Sequence, residues 1–408
     1  MSSAQPIVSE KVSFGRILSA IFLVAGTCIG GGMLALPVST GVSGFFPSLV
    51  VMAVCWLIMT LSALLLLEAS LWMEEGVHLI TIASRLLGAP GRWISWCLYL
   101  FICYASLVAY TAGGGVQIAT AFKHYFNLEV SKEIGAILFL ATFGCIVDLG
   151  SRVVGRVNAI LFIAMISAYF ILTGIGIEEV GFHNLRHAYW PAALLSIPLT
   201  LTTFSFQTMV PSLTPYLNRN GRALRIAVIA GTSLTFLIYS LWQWLILGIV
   251  PVEGDNGLAE ALRRGEPATQ FLREHVSGNW IYALAEYFAF FAIVTSFLGI
   301  GLGLVDFLSD GLKVEKKGWG KLFLGTLIIV PTLLFATQYE RAFLLALELS
   351  GGIGDAILNG MLPVLMVWMG RYHLGLTGTF RLPGGKAILS FIFLGFLFAF
   401  LVQVWIYL

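Results

Sequence analysis

Few side chains in this sequence are able to do chemistry, and several of them interrupt long apolar runs. Glu68, Asp306, Glu348 and Asp355 all fall in segments apolar enough to cross a bilayer. A charge at mid-membrane costs about 2.5–3.5 kcal/mol on insertion scales, so each is read first as a functional group. The chemistry open to isolated carboxyls there is uptake and release of a proton or another cation. Glu348 and Asp355 stand seven residues apart, which places them on one face of an α-helix. Asp355 follows Gly351-Gly352-Ile353-Gly354, small residues that permit close helix approach. Asp306 stands eleven residues beyond Thr295, again near one face. Pairing with a loop Lys or Arg is the structural alternative for Asp306 and Asp310. Glu68 either takes up a proton or anchors the sixth apolar segment. Asp148 and Glu286 lie near segment ends, where snorkelling suffices. None of the six histidines falls inside an apolar segment, which argues against an enzyme embedded in the membrane.

A second kind of chemistry comes from backbone freed where a helix breaks. The first apolar segment contains Gly26-Thr27-Cys28-Ile29-Gly30-Gly31-Gly32-Met33-Leu34-Ala35-Leu36-Pro37. Each Gly costs roughly 1 kcal/mol against Ala in a helix interior. In hydrocarbon, unwound backbone survives only where protein or a water-filled cavity satisfies it. The sixth segment, Pro198 to Pro215, is dense in hydroxyls and bounded by prolines, which remove a helix hydrogen bond. Half-helix N-termini offer N–H groups to a carboxylate. Freed carbonyls receive an ammonium group or a cation. An amino acid carries both charges, so the pair of breaks suits an amino acid.

The elements that must position these groups are membrane spans. The chain has 408 residues, 58% hydrophobic and 11% charged, with mean hydropathy +0.91. A soluble protein carries about 25% charged residues. The balance excludes a soluble enzyme, and no basic patch or module points to nucleic acid. No obligate protein partner is evident. Eleven segments reach spanning length: 14–40, 45–73, 92–121, 133–149, 155–177, 190–217, 224–250, 280–308, 320–338, 342–370 and 386–408. Residues 1–13 form a polar tail, and 251–279 a long loop with one or two short amphipathic helices. With the N-terminus in the cytoplasm, sixteen of the 23 Lys and Arg fall on the inner side, Lys11 and Arg371 among them. That bias sets N-inside and C-outside. The five cysteines all lie in apolar segments without CxxC spacing and read as small buried hydrophobes. Breaks at matching places in two five-span halves, 14–177 and 190–370, point to an inverted-repeat transporter with an eleventh helix, 386–408.

The glycine-rich block from Gly26 to Pro37 resembles the first-helix signature of the hydroxy/aromatic amino acid permeases. Further blocks are similar to that family: Leu67-Glu68, Ala109-Tyr110-Thr111-Ala112-Gly113-Gly114, Pro211-Ser212-Leu213, Thr295 to Gly299, Asp306 to Gly311, and Ile357 to Pro363. The tyrosine-specific members resemble it most. The resemblance implies an all-α polytopic membrane protein with a LeuT-like five-plus-five inverted repeat and an eleventh transmembrane helix. It also implies proton-coupled uptake across a bacterial inner membrane. One departure is Gln207, where members often carry His; Gln does not titrate near neutral pH.

The substrate is expected between the breaks. Thr27, Gly30 and Gly31 offer backbone groups, while Phe204, Ser205, Phe206 and Gln207 line the opposing wall. Phe faces suit an aromatic ring, Gln207 a phenol, and Tyr110 the place of a gate. No cofactor is expected beyond a coupling ion, H+ or Na+. For protons the candidates are Glu68, Asp306, Glu348 and Asp355. In the fold that the resemblance implies, Thr295 and Ser296 with the carbonyl of Gly26 form a possible sodium site. Hydroxyl and carbonyl oxygens suit a hard cation. Related proton-coupled carriers often place a Lys in the fifth span near that point, and 155–177 has none. The expectation is a cation symporter importing an aromatic amino acid, tyrosine first, with tryptophan or serine/threonine as alternatives.

Overall fold

Near-continuous apolar sequence leaves the backbone no water to bond with, so each segment closes its hydrogen bonds within a helix. The computed structural model describes residues 12–74, 77–276, 279–339 and 341–408. The expected tail 1–13, with Lys11, therefore lies almost wholly outside the described residues. Among the described residues, nine helices are long and apolar enough to cross a membrane, and a tenth span is the bent pair Phe14–Cys28 and Gly32–Gly41. Lys132–Asp148, 17 residues long, is the eleventh; about 17 residues is the short end of spanning length. The outward faces carry large apolar side chains such as Ile160, Phe170, Leu237, Phe391 and Trp405. This is the surface of an integral membrane protein.

Each half opens on a broken helix. Phe14–Cys28 and Gly32–Gly41 meet at 56°. The sixth span, Trp190–Tyr216, is interrupted between Ile197–Thr203 and Val210–Tyr216. The second half of the first span packs on the first half of the sixth. The seventh span, Gly221–Ile249, lies against Phe14–Cys28. The eighth, Asn279–Leu312, packs on the third, Leu79–Phe126, and the fifth, Ser151–Gly176. One end of the bundle gathers Arg16, Leu71, Tyr216 and Arg219. The other gathers Gly44 with His187 and Lys132 with Glu266.

Three elements differ from the sequence reading. The third span is preceded by a lead helix from Leu79 that the sequence reading did not include, and Gly88 (φ 72, ψ −156) breaks the helical backbone between the two. That backbone is open to glycine and closed to residues with a Cβ. The tenth span, Ala342–Tyr372, is wound as a π-helix from Ser350 to Met361. Of the cysteines, Cys28, Cys55 and Cys103 are buried, but Cys97 and Cys145 lie on the outer surface. A thiol is apolar enough to face lipid, so membrane exposure costs it little. In the loop 251–279, Leu258–Arg264 lies over the first span, with Leu258 against Gly41.

Candidate substrate site

The first break starts at Ile29, whose extended backbone (φ −74, ψ 109) ends the helix after Cys28. The next half-helix restarts at Gly32. Several backbone groups are thereby freed, and side chains from other spans take some of them up. The Gly31 N–H donates to Ser296 Oγ at 3.0 Å. The Cys28 carbonyl accepts from the Tyr239 hydroxyl at 2.6 Å, and the Met33 carbonyl from Trp242 Nε1 at 3.0 Å. Among the described residues, the N–H groups of Gly30 and Gly32 have no acceptor. They are the donors that a carboxylate needs.

Glycine at position 31 is required by close approach. A Cβ there would stand 2.5 Å from the Tyr110 ring. At Gly30 a Cβ would run into the hydroxyl of Ser296. The phenol of Tyr110 also faces Ser296. So Gly30, Gly31, Tyr110 and Ser296 meet at one point, joining the first, third and eighth spans. Thr27 lies off it: its hydroxyl bonds back to Leu23 O at 2.7 Å and lies 3.1 Å from Met209 Sδ.

The sixth break runs through Phe204 to Phe206 (φ −146, ψ 1). Phe204 and Phe206 are both buried, with Phe204 edge-on to Tyr239 at 5.3 Å. Ser205 Oγ donates to Asp355 Oδ1 at 2.6 Å. Asn359 Nδ2 reaches the same oxygen at 2.6 Å and Ser205 Oγ at 3.1 Å. Asp355 is fully buried, and its Oδ2 has no partner. No cation pairs with it among the described residues. Gly351 makes this junction possible, since a Cβ there would collide with Pro198 O. Gln207 does not present its amide for a phenol. Its Oε1 accepts from Phe206 N–H at 2.9 Å and its Nε2 donates to Met59 O at 3.1 Å. The freed backbone of the break claims the side chain first.

The other carboxyls take different places. Glu68 meets Arg371 in a two-pronged contact at 2.7 and 2.5 Å, and its Oε2 also accepts from Leu382 N–H at 2.8 Å. It does not touch the sixth span as an anchor, and with both oxygens occupied it has no room as a free proton carrier. The sequence assigned Arg371 to a loop; it sits in the last turn of the tenth span and is buried. Asp306 pairs with Lys316 at 2.8 Å, the structural alternative. Glu348 faces the eleventh span, where the Tyr407 hydroxyl donates to it at 3.2 Å. It does not share a face with Asp355, because the π-helical winding between them breaks the seven-residue register. Thr295 Oγ1 bonds its own helix at Ala292 O, 3.2 Å. The nearest contact of a Cβ built on Gly26 is the Phe162 ring of the fifth span. The oxygen of Ser296 faces Gly30 and Gly31 instead. Glu286 does not snorkel: its Oε1 is sealed from solvent.

Sequence reasoning missed Tyr239, Asn359 and Arg371 as members of these clusters. Tyr239 carried a signal, a lone phenol in an apolar span. A π-helix leaves no mark that pattern reading detects.

Two broken helices pack together inside an apolar bundle, with the Tyr239 phenol bonded to both and the buried Asp355 carboxyl bonded to the sixth. That arrangement defines a membrane transport protein of the broken-helix type, not an enzyme. The chain belongs to the tryptophan/tyrosine permease family, whose model matches residues 14–403. It is 32% identical over 362 residues to tyrosine-specific transport system 1 of Haemophilus influenzae, covering 87% of this chain and 88% of that one. It is 29% identical over 393 residues to the tryptophan-specific transport protein of the same organism, covering 93% of each. The low affinity tryptophan permease of Escherichia coli is 26% identical over 346 residues, 82% of each chain. The crystal structure of MhsT in complex with L-phenylalanine superposes with a TM-score of 0.66 at 14% identity, over 95% of this chain and 98% of that one. The fold is accordingly of the LeuT type.

Proposed function

We propose that this protein imports an aromatic amino acid by symport with a cation, tyrosine being the first substrate and the proton the first coupling ion. Tryptophan, serine or threonine, and sodium, are the alternatives. The observation that carries the reading is the Ser205–Asp355–Asn359 cluster at the sixth break, across from the free N–H groups of Gly30 and Gly32. The amides bind the substrate carboxylate. Its ammonium is drawn to the unpartnered Oδ2 of Asp355, and its ring lies against Phe204, Phe206 and Tyr110.

Asp355 supports the proton reading because it is buried, lacks a cationic partner and bonds directly to the unwound sixth span. Protonation removes an acceptor charge from the break, loosening one wall of the site. The sodium alternative rests on Thr295, Ser296 and the Gly26 carbonyl; the two hydroxyls now bond elsewhere, to Ala292 O and to the Gly31 N–H. Relatives that are tyrosine- and tryptophan-specific transport proteins support an aromatic substrate. The distribution of Lys and Arg supports insertion in a bacterial inner membrane with the N-terminus in the cytoplasm and the C-terminus outside. Rocking of one bundle against the other about the two breaks gives alternating access. The test is radiolabelled tyrosine uptake into proteoliposomes with proton and sodium gradients imposed separately. Uptake driven by the proton gradient alone is expected. Uptake that follows neither gradient and is blocked by no aromatic amino acid overturns the reading.

A further inference from the structure

Around the Asp355 carboxyl one hydrogen is missing. Two donors, Ser205 Oγ and Asn359 Nδ2, both end on Oδ1 at 2.6 Å, and Oδ2 has none. The next side chain to face this carboxyl is Thr202, on the first half of the sixth span. Its own hydrogen is already spent, because Thr202 Oγ1 donates to Leu347 O of the tenth span at 2.8 Å. A hydroxyl has one hydrogen and two lone pairs, so Thr202 meets Asp355 as an acceptor only. Two acceptors facing each other in a buried site leave both unsatisfied unless a hydrogen lies between them. Glycine brings the spans this close: a Cβ on Gly351 would stand 2.5 Å from Thr202 Oγ1.

The elements packed on this stretch bring no charge to supply that hydrogen. The third span brings the phenol of Tyr110 toward Asp355, and Phe101 and Ile102 against Gly354. The second brings Ser62, bonded to Asn359 O, while its Glu68 is taken by Arg371. The eleventh brings Gln403 against Gly352. Glu348 of the tenth span is turned to Arg341 and Tyr407. We infer, on the proton reading given above, that Asp355 carries its proton on Oδ2 in this conformation and that Thr202 Oγ1 accepts it. Thr202 is then a positioning residue for the coupled proton. When the proton leaves Oδ2, the Thr202 hydroxyl turns its hydrogen from Leu347 O to the bare carboxylate oxygen. The bond between the sixth and tenth spans is thereby given up. One hydrogen serves either the carboxylate or that bond, which links the proton to a contact holding one wall of the site. The protonated carboxyl keeps acceptor capacity for the substrate ammonium, so proton and substrate are held together, as symport requires.

The test is the apparent Kd for radiolabelled tyrosine, measured from acid to alkaline pH on the full chain in nanodiscs. Where binding needs the proton on Asp355, Kd rises about tenfold per pH unit once that proton begins to leave. T202V keeps the size of the side chain and loses the acceptor, which destabilises the protonated form. The proton then leaves at lower pH, and the rise is expected to begin about one pH unit below that of the wild type. T202S keeps the hydroxyl and should restore the wild-type midpoint. Loss of packing alone weakens binding at every pH and leaves the midpoint in place. Should T202V fail to insert, T202C, a weaker acceptor of similar size, is expected to move the midpoint the same way by about half as much. D355N should bind tyrosine with no rise. A wild-type Kd without a rise, or a D355N Kd with one, overturns the proton reading itself. With that reading intact, a T202V rise that begins at the wild-type pH or above it, or a T202S shift as large as that of T202V, overturns the role of Thr202.

Discussion

The hydroxyl of Tyr239 lies 2.6 Å from the carbonyl oxygen of Cys28 and 2.9 Å from that of Thr203. Each carbonyl sits where a half-helix gives way to a break. A phenol has one proton and donates fully to one of them at a time. The seventh span thereby ties both breaks to a single atom, and the bond can pass from one to the other as the walls move. Y239F removes the donor from two buried acceptors. An orphaned buried acceptor costs about 1–3 kcal/mol, so a lower melting temperature and about tenfold or greater loss of tyrosine uptake are expected. Wild-type uptake by Y239F contradicts the tie.

Gly31 and Tyr110 are set by contact. In G31A the new methyl meets the Tyr110 ring at 2.5 Å and must push it from Ser296. Tyrosine uptake is expected to fall about tenfold with normal insertion, and Y110L in the same chain to restore part of it by making room. If the double variant recovers nothing, the clash is not the cause.

Glu68 and Arg371 close the molecule between the second and tenth spans, both nearly fully buried. Removing one partner of such a pair costs about 3–5 kcal/mol, whereas replacing both with apolar groups is often neutral. R371M should therefore unfold at a markedly lower temperature, and E68M/R371M should regain most of the loss. Equal melting temperatures in the two variants count against a structural clasp.

Much of the fold was legible in the sequence. Apolar run length marks a span because hydrocarbon demands it, and the glycines from Gly26 and prolines to Pro215 marked the breaks through the backbone chemistry they forbid. Gly31, Tyr110, Ser205 and Asp355 all stand out by residue type and place in the sequence. What remained hidden depends on winding and on distant partners. Glu348 was paired with Asp355 by a spacing that holds only for an α-helix, and the π-helix that begins at Ser350 turns them apart. Gln207 and Glu68 looked free because the groups that occupy them, Met59 O and Arg371, lie 148 and 303 residues away.

Asp355 carries the central claim, that a proton bound at the sixth break moves with the substrate. The most direct measurement is internal pH in proteoliposomes loaded with a pH dye, read on adding external tyrosine with no gradient imposed. The wild-type protein should acidify the lumen. D355N, whose amide still accepts from Ser205, should exchange labelled for unlabelled tyrosine without moving the dye. Acidification by D355N equal to wild type, or tyrosine entry through the wild-type protein with no change in internal pH, contradicts the account.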